Sequence, residues 1–147
     1  MSNLKRALAF ERAKTDVKYF YKWLGYSWGT HINEWMDMYS ADDGHHINRV
    51  CIIAPRSHSK SVTLGVKLLH MCLFQKFNGK PMDIWLFSAS QDTAKRRLAE
   101  IRKDLTAHKE LSRYINTKRG GKEELWLTNG AVIRCSSVGS AIRGDHP

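Results

Sequence analysis

Two short apolar runs, each followed by a segment of helical period, constrain this chain more than any other feature. Val50-Cys51-Ile52-Ile53 is compact and rich in β-branched residues, and Ile84-Trp85-Leu86-Phe87 repeats that character. Neither run alternates apolar with polar residues, so both read as strands buried on both faces. Between them lie a loop over 54–59 and a helical pattern over 60–77, which Asn78-Gly79-Lys80-Pro81 brings to an end. After the second run, Ser90 is placed to cap a helix over 91–107 whose apolar face is Ala94, Leu98, Ile101 and Leu105. A short helical continuation is expected over 110–115. Leu125-Trp126-Leu127 and Ala131-Val132-Ile133 then flank Thr128-Asn129-Gly130, and Asn-Gly between β-prone runs signals a hairpin. Strand, loop, helix, strand, helix is the grammar of an α/β fold with a parallel sheet and flanking helices.

Ahead of this core, Leu4, Ala7, Phe10, Ala13, Val17, Phe20 and Leu24 recur at steps of three and four. They predict one amphipathic helix over 4–24, ended by Gly25. A second helix is expected over 31–39, with Thr30 as its N-cap, before a turn at 41–46 whose Asp and His residues read as solvated rather than metal-binding. Residues 1–47 therefore form an N-terminal helical segment and 48–147 an α/β core. A chain of 147 residues with 42% hydrophobic content can bury one sizeable core. Cys51, Cys72 and Cys135 are odd in number and widely spaced, which argues against a disulfide framework or zinc knuckle, and Cys51 and Cys72, in apolar runs, read as buried thiols. No signal peptide is visible at the start. The most apolar helical stretch, 64–74, is interrupted by Lys67 and too short for a bilayer, so the protein reads as soluble and intracellular, with no membrane partner.

The chemistry concentrates in Ala54-Pro55-Arg56-Ser57-His58-Ser59-Lys60-Ser61. Here a loop leaves a strand and enters a helix whose first turn carries Lys-Ser. The amide N–H groups and dipole of a helix start attract phosphate, Lys60 bridges phosphate oxygens, and the Ser61 hydroxyl is placed to ligate a magnesium ion. Arg56 in the same loop is positioned to balance charge on a terminal phosphate, and His58 reads equally as a phosphate donor or a solvated side chain. The phosphate-loop pattern G-x-x-x-x-G-K-[ST] sets its glycines at Ala54 and Ser59, where this sequence has small residues instead.

The order of buried strand, Pro-Arg loop, Lys-Ser helix, a second strand ending Ser88-Ala89-Ser90-Gln91 and a late Gly139-Ser140-Ala141-Ile142-Arg143-Gly144 resembles the large terminase subunit of tailed bacteriophages. Members of that family are ATPases that drive DNA into capsids. The segment Pro55 through Ser61 is similar to its divergent Walker A, which prefers Gly at positions 57 and 59. The likeness spans about residues 29–147 and rests on several motifs in the right order. It implies a P-loop NTPase-type fold for 48–147, incomplete at the C-terminus, with ATP and Mg2+ as cofactors. It also implies an adenine-contacting role for His31 and Trp35, one helical turn apart, which otherwise read as core. Arg143 becomes an arginine finger reaching a neighbouring subunit.

No apolar strand ending in paired acids follows Arg143, so the water-activating acids and the nuclease domain of the family are missing from this sequence. The expectation is the front portion of a packaging motor. It would bind ATP and, when completed, hydrolyse it, in the cytoplasm of the infected host cell. Expected partners are double-stranded DNA, other motor subunits, small terminase and portal, and a complementary C-terminal chain that covers an apolar sheet edge.

Charge agrees with a polyanionic partner. Lys plus Arg number 24 against 14 Asp plus Glu, a net +10. Between residues 95 and 122 ten basic residues face only Glu100, Asp104 and Glu110. Lys95, Arg96, Arg97, Arg102, Lys103, Lys118 and Arg119 of that stretch are the DNA-binding candidates, against the plainer reading of a solvated helix face. Two alternatives stand beside the motor: a helicase-like P-loop ATPase, and a non-enzymatic basic DNA-binding fragment with a decayed loop.

Overall fold

The computed structural model describes residues 3–38 and 59–138. The strand expected over 50–53, most of the loop before Lys60, the turn at 41–46 and the segment containing Arg143 lie outside the described residues. Contacts group the chain into two compact units, Met1–Phe74 and Gln75–Pro147.

The first unit is helical: α1 (Asn3–Thr15), α2 (Val17–Trp23), α3 (Thr30–Met38) and α4 (Lys60–Phe74). The single helix expected over 4–24 is in fact two. Asp16 leaves the helical region at φ −122° and ψ 102°, and its carboxylate accepts the Tyr19 N–H at 2.9 Å, so a capping residue inside the apolar period starts a new helix. The apolar stripe holds only where the helices are covered. Phe10, Ala13 and Phe20 are buried, whereas Leu4 is 69% exposed. Gly25 ends α2 as expected, at φ +93°, a conformation that favours glycine. The core is aromatic: Phe10, Phe20, Trp23 and Phe74 stack or meet edge to face, with ring centroids 5.5–6.2 Å apart.

Helix α4 ends at Phe74 rather than Phe77. The Asn-Gly pair that follows makes a tight hairpin of its own, β1 (Lys76–Phe77) against β2 (Lys80–Pro81), with Asn78 and Gly79 at φ +50° and +76°. Two consecutive positive φ values are what a type I′ turn requires, and Asn-Gly supplies them at least cost.

The rest of the second unit is β3 (Asp83–Ser88), α5 (Gln91–Ala107), α6 (Lys109–Ser112), β4 (Glu124–Trp126) and β5 (Val132–Ser137). The three strands order as β3-β5-β4. β3 and β5 run parallel in the register Ile84–Ile133 and Leu86–Cys135, while β4 pairs antiparallel with β5. The architecture is thus mixed α/β with a small mixed sheet; the β4–β5 hairpin is present as expected, while the parallel pairing among the described residues is between β3 and β5, joined across α5, and not with the strand expected over 50–53. Asn129 Oδ1 accepts the Ala131 N–H at 3.0 Å, and Gly130 takes φ +89°, which closes that hairpin.

Helix α5 packs on β5 and β3 through the predicted stripe of Ala94, Leu98, Ile101 and Leu105, all buried. One expectation fails here. β3 is not buried on both faces: exposure alternates along it, and Trp85 and Phe87 stay 41% and 51% exposed, stacked at 5.8 Å. Arg134, on the central strand, ties the sheet together by pairing with Asp83 on β3 and Glu124 on β4. Its guanidinium also lies 5.5 Å from the Trp85 and Trp126 ring centroids. Cys72 and Cys135 are buried free thiols, and burial pushes the Cys135 thiol above its ordinary range. Among the described residues no helix is long and apolar enough to cross a membrane.

Candidate functional site

The start of α4 carries the described part of the phosphate-loop candidate: Ser59, Lys60 and Ser61. The helix begins with the Ser59 carbonyl, which accepts both the Thr63 N–H at 2.8 Å and the Thr63 hydroxyl at 2.9 Å. Ser59 itself sits at φ +56°, in the left-handed region. That region costs a non-glycine residue about 1–2 kcal/mol. It is the position at which the phosphate-loop pattern sets a glycine, so the backbone does there what glycine does, with serine in its place.

A residue that the sequence did not single out holds this turn. Tyr21, at the end of α2 and 1% exposed, hydrogen-bonds through its hydroxyl with Thr63 and Ser59. Burial raises the Tyr21 pKa and those two bonds pull it back in part. Nothing in Tyr19-Phe20-Tyr21 announces a hydroxyl that reaches some forty residues along the chain; only its burial inside an aromatic core needs a polar partner for the ring's oxygen.

The first turn of α4 contains no acidic residue of its own, so the helix does not neutralise the positive end of its dipole from within that turn. Lys60 and Ser61 are half-buried there. Pro55, Arg56, Ser57, His58 and Arg143 lie outside the described residues. Among the described residues no group of three or more His, Cys, Asp or Glu could hold a metal ion.

His31 and Trp35 are brought together on α3, edge to face at 5.0 Å, with Trp35 buried and His31 half-buried. Further along α4, Lys67 and His70 are buried as well. The His70 Nε2–H donates to the Ala13 carbonyl at 3.2 Å. Its pKa falls to about 4, first because burial disfavours the imidazolium and second because Lys67 repels it.

In the second unit the basic stretch is partly consumed by the fold. Lys95 Nζ lies 2.9 Å from Glu123 Oε1, one residue beyond the window counted in the sequence. Arg97 pairs with Glu100 at 2.8 Å on its own helix. Arg102 donates to the carbonyls of Gly121 and Glu124 at 2.6 and 3.0 Å, and Arg119 lies over the Trp126 ring at 5.3 Å. Arg96, Lys103 and Lys118 make no ion pair among the described residues. A groove of about 520 Å³ opens between α5 and the turn at 120–123.

Comparison with known proteins gives no match: no family model, no curated protein and no solved structure is similar to this chain.

Proposed function

We propose that this chain is the ATP-binding portion of a DNA-packaging motor of the large-terminase type, with the start of α4 as its phosphate site. One observation carries the reading: Ser59 holds a positive φ at the turn into α4, immediately before Lys60 and Ser61 and with no acid in the helix's first turn. The phosphate-loop pattern sets a glycine at the residue before its lysine, where a positive φ carries no steric cost, whereas a structural N-cap is typically extended. In this reading Lys60 bridges the β- and γ-phosphates, Ser61 ligates Mg2+, and Arg56 balances charge on the terminal phosphate. Arg143 serves a neighbouring subunit's site. Double-stranded DNA is the second partner, and the motor's other subunits, small terminase and portal complete the assembly.

The test is Mg·ATP binding by calorimetry, comparing the wild-type chain with Lys60→Ala and Ser61→Ala, each with and without magnesium. Loss of at least about tenfold in affinity is expected for Lys60→Ala in both conditions, and for Ser61→Ala only when magnesium is present. Equal, negligible binding by all three proteins overturns the reading. The surviving alternative would then be the non-enzymatic basic fragment, which the groove beside α5 favours independently of the phosphate loop.

A further inference from the structure

The turn into α4 is held at both ends of one residue. Ser59 sits at φ +56°, an angle that glycine takes freely and that other residues populate about five- to thirtyfold less readily. Its carbonyl is fixed by Thr63, whose N–H and hydroxyl both donate to it, at 2.8 and 2.9 Å. Its side chain is fixed by the Tyr21 hydroxyl, which also bonds with Thr63. A side chain tied to another helix resists rotation about φ, and a carbonyl tied to the next turn resists rotation about ψ. Neither torsion is free to relax.

Tyr21 is itself anchored. It is 1% exposed on α2, and its ring packs on Tyr26 at 5.2 Å and Trp28 at 5.7 Å. The Asp16 cap that divides the expected single helix starts α2, and so sets the direction from which Tyr21 approaches. Thr63 is fully buried, so water does not replace a hydroxyl removed from this cluster.

We propose that Tyr21 is a positioning residue that takes the place of the phosphate-loop glycine: its hydroxyl holds Ser59 left-handed, so the turn has its phosphate-binding shape before any phosphate arrives. A glycine permits the angle by having no side chain; here the side chain is kept and tied down. A neutral hydrogen bond is comparable in size to the left-handed penalty, so one such bond offsets much of it. The inference rests on the phosphate reading of α4 and adds the residue on which the geometry of that site depends. Tyr21 acts through Ser59 and need not touch the nucleotide.

The experiment is a double-mutant cycle of Tyr21→Phe and Ser59→Gly in the full chain, read as Mg·ATP affinity by calorimetry and as the unfolding constant in urea. Tyr21→Phe keeps the ring and its packing on Tyr26 and Trp28. Alone, it should weaken Mg·ATP binding about five- to tenfold. In the Ser59→Gly background it should change affinity by less than about twofold, because glycine needs no restraint. Unfolding without nucleotide should show the same coupling, with Tyr21→Phe raising the unfolding constant at least about threefold more beside Ser59 than beside glycine. Ser59→Ala keeps the backbone penalty and loses the hydroxyl, so it should bind Mg·ATP as weakly as Tyr21→Phe.

Equal losses in both backgrounds would give Tyr21 a packing role alone and overturn the proposal. Wild-type affinity in Tyr21→Phe overturns it too. If the cycle shows no coupling while Lys60→Ala still abolishes binding, the phosphate reading stands without the clamp. A wild-type chain that binds no Mg·ATP, yet keeps the coupling in unfolding, overturns the phosphate reading and with it the positioning role.

Discussion

Helices α4 and α5 start from nearly the same letters, Ser57-His58-Ser59-Lys60-Ser61 and Ser88-Ala89-Ser90-Gln91-Asp92, and the fold uses them differently. At α5, Ser90 is extended (φ −131°, ψ 152°), its hydroxyl oxygen accepts the Thr93 N–H, and Asp92 lies in the first turn. The chain itself thus supplies an acceptor and a negative charge to that helix end. At α4, Ser59 is left-handed, its hydroxyl bonds with Tyr21, and the first turn has no acid. The buried faces differ as well. That of α5 is aliphatic throughout, whereas α4 buries Thr63, Lys67 and His70 among its apolar residues. A serine before a helix therefore says little by itself; the backbone angle it adopts decides whether its own hydroxyl caps the helix or turns elsewhere.

The largest effect expected from this contrast is at Leu98, which is 1% exposed in the aliphatic face of α5. Leu98→Ala should cost about 2–5 kcal/mol in urea unfolding, independent of pH. Acid should instead act on α4. The folded-state pKa of His70, about 4, lies below the usual 6.5, so the unfolded chain takes up the proton first. Stability is complete above about pH 6.5 and declines as pH falls toward about 4, by on the order of 3 kcal/mol. Unfolding free energies measured across that window should lose this contribution to the slope in His70→Leu, and an unchanged slope would separate α4 from acid sensitivity.

The two serines can be compared by one substitution. Thr keeps the hydroxyl but is β-branched, which an extended backbone accepts and a positive φ does not. Ser59→Thr should destabilise by about 1–2 kcal/mol and Ser90→Thr by a few tenths. Equal values would mean that the two turns do not differ in the way described. Ser90→Ala removes the cap altogether and should cost about 1 kcal/mol by thermal melting, with no effect on Mg·ATP affinity.

Legibility followed the range of the interactions involved. Ser90 and the stripe of Ala94, Leu98, Ile101 and Leu105 were readable because a cap and a helical period act within a few residues. The hairpin at Thr128-Asn129-Gly130 was readable for the same reason. Asp16 was not, because a capping residue inside an unbroken apolar period has two local readings and packing chose between them. Charge counting over 95–122 overstated the free cations, since Glu123 stands just outside the window and two backbone carbonyls occupy Arg102.

From its residues alone this chain determined helix α5 with its cap and buried stripe, the hairpin at Thr128-Asn129-Gly130 and a strong positive charge, all properties of neighbours in sequence or of simple addition. Only the tertiary structure decided that Ser59 would turn left-handed under Tyr21, that Trp85 and Phe87 would stay exposed, and which arginines would brace the fold. Those outcomes depend on atoms tens of residues apart, whose energies exist only once packing has brought them together.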